Sequence, residues 1–366
     1  ALAWLDRIGS TDLDSYDLRQ LGLKNGNLTV DDRRTGKRWT FTDISVGLSR
    51  PLQGGIIVRV ASEAPDRAWQ ISAAIRPIEG NIRAVGIEAR QVPAHDLLLA
   101  MRVGDIEADF PVSASLRAEL STGGVVRSAR GQIVTGAGFI RDPKQVNSEI
   151  RIERADIRAV WDARQKSLMM PFHLQSDSMQ MTMLARVQAD PQEEGIWRLS
   201  VTRGDGVIDP IILSPDTEAD RAGFSFNRVA INARIDPARQ RIVVDQGDFG
   251  REDTRSLYNV GIAVTGTFDY SGADPRLNFG VAGTRMPMTV FKRLWPRPVA
   301  PAVRQWVDDH ISAGTVERVL VAGNMTVPVM LEPGVPIPEE GLSIEIDTSG
   351  TVLRPVETLP EIRDAD

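Results

Sequence analysis

The sequence contains no cysteine, and its 366 residues include only three histidines and 5% aromatic residues. The absence of cysteine excludes disulfides, thiolate metal sites and cysteine nucleophiles. The histidines, at positions 95, 173 and 310, have no ligand-spaced neighbours, so we expect no metal and no cofactor. The longest stretches without a charged residue, 256–268 and 319–331, are shorter than the roughly 20 apolar residues of a membrane-spanning helix.

Catalytic and nucleic-acid-binding signatures are also scarce. The sequence has no nucleophile elbow, no zinc-protease helix motif and no phosphate-binding loop. The acidic residues around Gly206 and Gly250 lack the spacing of a calcium loop and are typical of solvated turns. The few aromatic residues are too scattered for the platforms of a carbohydrate-active enzyme, and the net charge of −6 disfavours nucleic acid as a partner. We therefore expect a non-enzymatic protein, without catalytic residues, that binds no nucleic acid.

Apolar and polar residues instead alternate with a period of two along much of the chain. Between positions 112 and 120, every second residue is apolar and the residues between them are polar or charged. Such alternation is typical of strands with one buried and one solvated face. The same pattern recurs at 150–161, 179–183, 197–201 and 229–235, with turn signals between the runs. The sequence predicts a mainly β fold: an elongated, curled antiparallel β-sheet built of repeated hairpins, with a few short helices.

Helical periodicity is confined to three short segments. Helices are expected at His95–Met101 and Thr289–Leu294, each shortly after a proline. A third helix is expected at 301–313, where Pro301 suits the first turn and Gly314 suits the C-cap. This third helix is amphipathic, and its apolar stripe is formed by Val303, Trp306, Val307, His310 and Ile311. The stripe either packs inward, which would make Trp306 a core residue, or belongs to a peripheral helix.

Two of these helices follow a repeated segment. Gly86–Pro93 aligns without a gap with Gly280–Pro287, and in both an apolar residue and a proline end a strand. Repeated hairpins indicate a stacked sheet rather than a compact enzyme. We divide the chain into a first β-hairpin unit, 1–100, a longer β unit, 101–296, and a segment 297–366 that contains the amphipathic helix and begins a further β unit.

Two stretches of the sequence are similar to a known family. Residues 21–49, LGLKNGNLTVDDRRTGKRWTFTDISVGLS, resemble the strand–turn–strand unit of the AsmA-like superfamily of bridge-like lipid-transfer proteins, with its Asn-Gly turn and its strand running into F-x-D-I. Residues 286–317 resemble the YhdP branch of that superfamily. They contain Leu-Trp-Pro at 294–296, Arg-Gln-Trp-Val at 304–307 and Gly-Thr-Val at 314–316.

The resemblance implies a periplasmic protein that is anchored in the bacterial inner membrane. In this family the sheets curl into a groove, the β-taco, whose apolar interior is thought to carry phospholipid acyl chains towards the outer membrane. The family's anchoring helix has no counterpart in this sequence. The chain begins at Ala1 within an apolar stretch, and we interpret it as a processed piece of a longer protein. The expected partners are phospholipid acyl chains and, through that absent segment, the inner membrane; protein partners stay open.

Alternation leaves open what covers the apolar face of the strands. A second sheet or a helix would make the face a closed core, and the protein would then be an envelope scaffold that docks partner proteins. An uncovered face would instead be a binding trough. The methionine-rich segment 169–183 fits either an adaptable surface or ordinary core filling. With the resemblance we favour a lipid groove, lined by the apolar residues Leu116, Leu120, Ile157, Trp161, Met170, Phe172, Met181, Met183, Ile231 and Ile235.

Overall fold

The structure is a computed structural model, and it is predominantly β, with strands accounting for 69% of the chain. The prediction of a mainly β fold, a curled and open antiparallel sheet with a few short helices, is confirmed. The structure describes residues 20–32, 37–62, 68–78, 81–100, 106–121, 124–141, 143, 149–213, 223–252, 259–272, 274–295, 301–331, 335–354 and 362–365.

The chain divides into two compact units. Unit 1 comprises Ala1–Phe139 and Arg154–Gln165, and unit 2 comprises Ile140–Glu153 and Lys166–Asp366. The segments 1–100, 101–296 and 297–366, of which the first two end at the repeated helices, remain a prediction about how the hairpins recur.

Unit 1 is a meander of antiparallel strands. Its strands are β1 (Gln20–Asp32), β2 (Lys37–Ser49), β3 (Ile56–Ser62), β4 (Trp69–Pro77), β5 (Ile82–Pro93), β6 (Glu107–Asp109), β7 (Pro111–Ser121) and β8 (Val126–Thr135). Two further strands, β9 (Gly138–Arg141) and β10 (Ile150–Asp162), contain residues of both units. The pairing order is β1-β2-β3-β4-β5-β7-β8-β10. A short helix, α1 (Ala94–Ala100), and β6 follow β5 before the chain returns as its partner β7.

Unit 2 repeats this build with more strands. They are β11 (Ser167–Ser176), β12 (Met179–Ala189), β13 (Trp197–Arg203), β14 (Ile211–Leu213), β15 (Phe224–Phe226), β16 (Arg228–Asp236), β17 (Arg241–Arg251), β18 (Val260–Asp269), β19 (Arg276–Gly283), β20 (Met286–Pro287), β21 (Ile311–Thr326), β22 (Leu342–Leu353) and β23 (Ile362–Ala365). The helices are α2 (Met288–Leu294), α3 (Pro301–His310) and α4 (Val327–Leu331). The main order is β11-β12-β13-β16-β17-β18-β19-β21-β22-β23, and β14 pairs with both β12 and β15.

The repeated segments fold alike in the two units. In unit 1, Val92 is 2% exposed and lies opposite Val112, just before Pro93 and α1. In unit 2, Met286 is 1% exposed and lies opposite Val316, just before Pro287 and α2. In each case the apolar residue anchors the end of a strand, and the proline, which has no N–H to donate, suits the transition from the strand into a helix.

The helix expected at 301–313 is shorter than its sequence predicts, and it buries only one residue of its apolar stripe. It ends at His310, and Gly314 lies within β21 with a φ of 135° instead of capping the helix. Only Val307 of the predicted stripe is buried, whereas Val303 and Trp306 are 45% and 48% exposed. Of the two alternatives for this stripe, inward packing of the whole stripe is therefore excluded. The other two predicted helices correspond to α1 and α2.

Candidate functional site

The apolar face of unit 1 carries a row of exposed aliphatic side chains. Ile87 of β5 lies opposite Leu116 of β7, and Ile133 of β8 lies opposite Ile157 of β10. Because directly paired residues share a face with one another and with residues two positions away, all four side chains lie on one side of the sheet. Their exposed fractions are 40%, 37%, 44% and 37%. These values are high for aliphatic residues in the middle of strands.

Small residues separate the members of this row. Ala114 lies between Ala89 and Ile133 on the neighbouring strands, and Gly131 lies between Leu116 and Ala159. Side chains of one carbon or none leave the surface between the larger aliphatic groups low and smooth. This part of the face therefore presents methyl and methylene groups and no side-chain hydrogen-bond donor.

The opposite face of the same strands is polar. Gln132 donates a hydrogen bond from Nε2 to Oδ1 of Asp156 at 3.1 Å, and Nε of Arg158 lies 3.7 Å from the same oxygen. Nearby on β5, Nη2 of Arg90 donates to Glu88 at 2.8 Å. The two faces thus differ in chemistry as the two-residue alternation predicts.

The exposed row has no covering layer among the residues that the structure describes in unit 1. The buried apolar residues of this unit occupy other positions: Ile44 in β2, and Val92, Ala94 and Ala108 in the segment around α1. A contiguous apolar face that remains open to solvent is typical of a binding surface rather than of a core. It is the main candidate site of the protein.

Part of the apolar face of unit 2 is covered by α2 and α3. The rings of Phe291 and Trp295 pack edge to face with their centroids 5.4 Å apart. They belong to a core cluster in which every member is at most 9% exposed: Val260, Met286, Met288, Phe291, Trp295, Val307, Val316 and Val319. Nζ of Lys292 in α2 donates to the carbonyl oxygens of Asp308 and Ile311 at 3.2 and 2.6 Å and so caps the C-terminal end of α3. Burial lowers the pKa of this lysine from its ordinary value.

The cover over the face of unit 2 decreases along β13. Val201 is 8% exposed within a second cluster that also contains Met183 and Phe226. Trp197, on the same face four positions earlier, is 39% exposed and lies opposite Ile235. The apolar face therefore passes from closed core to solvent-accessible surface within a single strand.

The candidate residues are distributed over both units. Leu116, Leu120, Ile157 and Trp161 share the apolar face of unit 1; all four are half-buried or exposed. The other six share the apolar face of unit 2, where Met170, Phe172, Met181, Ile231 and Ile235 are half-buried. Met183 differs, because at 5% exposure it is part of the core.

Two members of the exposed row, Ile87 and Ile133, are not among the residues that the sequence pattern singles out. Each lies in a strand whose alternation is interrupted: Gly86 precedes Ile87, and Val134 follows Ile133. Their cross-strand partners, Leu116 and Ile157, are candidates, so only the register of the sheet reveals them.

The methionines and histidines have mixed surroundings. Met181 and Met183 lie on the apolar face, but Met169 lies on the other face, where Nε of Arg186 is 3.1 Å from its sulfur. Nδ1 of His173 lies 2.7 Å from the hydroxyl of Thr182, and the ring of His310 stacks on Trp306 with centroids 5.0 Å apart. Among the residues that the structure describes, no group of three or more potential ligands could hold a metal ion.

Asp190 organises the turn between β12 and β13 on the polar side. Its side chain is 2% exposed and accepts a hydrogen bond from Nε of Arg198 at 2.6 Å and one from the N–H of Gln192 at 2.8 Å. The hydrogen bond from the Arg198 guanidinium, followed by the one from Gln192, lowers the pKa of Asp190 from its ordinary 3.8.

Because the pKa of Asp190 is lowered in the folded state, the stability of unit 2 is expected to fall as the pH becomes acidic. The folded state prefers the ionised carboxylate, so this contribution is complete above pH 3.8 and is lost as the pH falls below it. We expect Asp190→Asn to be less stable than the wild type at neutral pH and to show a weaker loss of stability between about pH 4 and pH 2. Urea unfolding at a series of pH values measures both effects. An unchanged slope in this range would contradict the assignment.

Comparisons with known proteins gave no match to a family model, to a curated protein or to a solved structure. Within the described ranges, no helix combines the length and the apolar character that crossing a membrane requires. By its fold and its faces, the protein belongs to the class of open antiparallel β proteins in which each unit has one apolar and one polar face.

Proposed function

We propose that the apolar faces of the two units bind phospholipid acyl chains, and that the protein holds or conducts lipid without catalysing a reaction. The observation that carries this proposal is the row of Ile87, Leu116, Ile133 and Ile157 in unit 1, each between 37% and 44% exposed. Such a row loses water-exposed apolar area when a hydrocarbon chain lies along it, and that loss is the driving force for binding.

The energetic scale fits an acyl chain as the ligand. Burying one methylene group contributes about 0.8 kcal/mol, so even partial cover of a chain offsets a useful part of the cost of extracting it from a bilayer. The small residues Ala114 and Gly131 leave no deep pocket that would hold one methylene more tightly than the next. A smooth surface of this kind suits sliding better than tight binding at one position.

The cellular setting of this proposal comes from the sequence resemblance to the AsmA-like superfamily. In that setting the protein is periplasmic, is held at the inner membrane by a segment outside this chain, and passes acyl chains towards the outer membrane. The open, curled sheet and the exposed apolar row of unit 1 support this setting, since closed sandwich units would offer no place for an acyl chain.

Lipid bound to the purified chain tests the proposal. We expect phospholipid to co-purify and to be detected by native mass spectrometry, and we expect a fluorescent fatty-acid analogue to bind and to be displaced by added phospholipid. A delipidated sample should regain lipid from detergent-solubilised stocks. A chain that carries no lipid and binds no acyl probe would contradict the proposal and would favour an envelope scaffold that docks proteins.

A further inference from the structure

Three neighbouring hairpin turns with exposed apolar residues form one edge of unit 1, at the ends of its strands. The turns join β2 to β3, β4 to β5 and β7 to β8, and antiparallel pairing places all three at the same edge of the sheet. Leu52, Ile78 and Val125 occupy these turns and are 83%, 40% and 66% exposed. With strands about 4.8 Å apart, the three turns span about 20 Å.

These apolar side chains are not needed to form the turns. The N–H of Gly54 donates to the carbonyl oxygen of Pro51 at 2.9 Å, and the N–H of Gly124 donates to that of Ser121 at 2.8 Å. Both glycines have positive φ values, 83° and 81°, which glycine adopts without strain. Backbone bonds and glycines therefore set the turn conformation, and polar residues would serve as well at the exposed positions.

Hairpin turns in unit 2 show the usual polar alternative. Asp190, Asp236 and Asp269 each accept a backbone N–H within their own turn, from Gln192, Arg239 and Ser271 respectively. Each carboxylate also pairs with an arginine. The apolar turns of unit 1 thus depart from a pattern that the same chain uses elsewhere.

Positive charge flanks the apolar turns. Arg76 precedes the second turn and Arg127 follows the third; both are exposed, and Arg50 and Arg83 lie in the same segments. The one acidic residue in the sequence of the three turns is Glu79, which lies outside the described residues. The chain as a whole has a net charge of −6, so a basic edge runs against its average composition.

We propose that this hairpin edge of unit 1 docks on an anionic lipid bilayer. Leu52, Ile78 and Val125 enter the interfacial layer, and Arg76 and Arg127 lie against the lipid phosphates. Apolar side chains bounded by arginines match an anionic interface in both hydrophobicity and charge. This inference goes beyond the proposed function, because docking at the edge and acyl-chain binding on the face involve different residues and have different readouts.

Co-sedimentation of the full chain with vesicles tests the docking edge. We expect binding to vesicles of phosphatidylcholine with phosphatidylglycerol, weaker binding at high salt, and little binding to phosphatidylcholine alone. Arg76→Gln/Arg127→Gln should weaken partitioning by roughly 25-fold, since each basic residue near such a surface contributes about fivefold. Leu52→Ser/Ile78→Ser/Val125→Ser should weaken it at least as much, with an unchanged circular dichroism spectrum.

Two control variants test whether the position of the substituted residues matters, and not only the loss of positive charge or of an apolar side chain. Arg117→Gln/Arg130→Gln removes the same charge from two exposed residues that face each other in the middle of β7 and β8. Ile208→Ser removes an apolar residue that is 77% exposed but lies near Asp205 and Asp209. Both controls should bind vesicles as the wild type does.

The outcomes separate the docking edge from the proposed function. The docking proposal would be overturned if Leu52→Ser/Ile78→Ser/Val125→Ser bound vesicles as the wild type does. It would also be overturned if the wild type bound neutral and anionic vesicles equally, or if either control variant lost as much binding as the test variants. If this triple variant loses vesicle binding but still binds the acyl probe, the result supports docking at the edge and shows that acyl-chain binding does not depend on the turns. A wild type that binds anionic vesicles but no acyl probe would support docking and contradict only the proposed function.

Discussion

Replacing Phe291 with alanine is expected to lower the free energy of unfolding of unit 2 by about 3–5 kcal/mol, the usual cost of emptying a buried phenylalanine site. Phe291 is 8% exposed in α2 and packs edge to face on Trp295. The same core cluster contains Val307 of α3 and Val316 of β21, so the cavity would loosen the contact of both helices with the sheet. Urea unfolding followed by tryptophan fluorescence measures the loss.

Trp306→Ala is the matched control on the neighbouring helix. Trp306 is 48% exposed and its main ring contact is the stack on His310, so its removal should cost less than about 1 kcal/mol. Comparable losses for both variants would show that α3, and not only α2, packs its aromatic side chain against the sheet. That result would contradict the exposed position of Trp306.

The difference between Phe291 and Trp306 shows what helical periodicity cannot predict. Periodicity identifies the apolar side of the segment 301–313 but not which part of it meets the sheet. Val307 is the one buried residue of the stripe and shares a core cluster with Phe291 of α2 and Val316 of β21, while Lys292 of α2 caps the carbonyl oxygens at the helix end. Which part of the stripe is buried therefore depends on residues of α2 and β21, and no pattern within 301–313 contains those contacts.

The strands were far more predictable because their signal is local. A period of two follows directly from the pleat of a strand, so alternation gives both the strand and the composition of its two faces. The repeated proline segments also predicted α1 and α2, since an apolar residue and a proline mark the same strand end in both units. Each of these features depends on a few consecutive residues.

What covers a strand face depends on residues distant in sequence, and alternation says nothing about it. Met181 and Met183 lie on the same face of β12, yet Met183 is 5% exposed and Met181 is only half-buried. Met183 belongs to a cluster with Ile211 and Phe226, which come from β14 and β15. The same uncertainty applied to Leu116 and Ile157 in unit 1, where the face is exposed. The candidate site was therefore predictable as a face but not as an open one.

Two carboxylates placed on the open face should abolish acyl-chain binding by unit 1 without unfolding it. In Leu116→Asp/Ile157→Asp, both positions are 37% exposed, so the new charges remain hydrated and the large cost of burying a charge does not arise. An acyl chain crossing β7 and β10 would have to strip water from both carboxylates. We expect at least a tenfold weaker affinity for the fatty-acid probe, because desolvating even one charge exceeds 1.4 kcal/mol.

The opposite face of the same strands supplies the control. Ser115→Asp/Val160→Asp introduces two carboxylates on β7 and β10, with Val160 42% exposed and opposite Arg130 on the polar face. This variant carries the same added charge at similar exposure, and it should bind the probe as the wild type does. Met183→Asp, by contrast, should unfold unit 2, because its site is closed core. If the Leu116→Asp/Ile157→Asp chain is folded by circular dichroism and still binds the probe normally, acyl chains do not lie on the face of unit 1. If the control loses binding equally, added negative charge alone is responsible and the face-specific assignment fails.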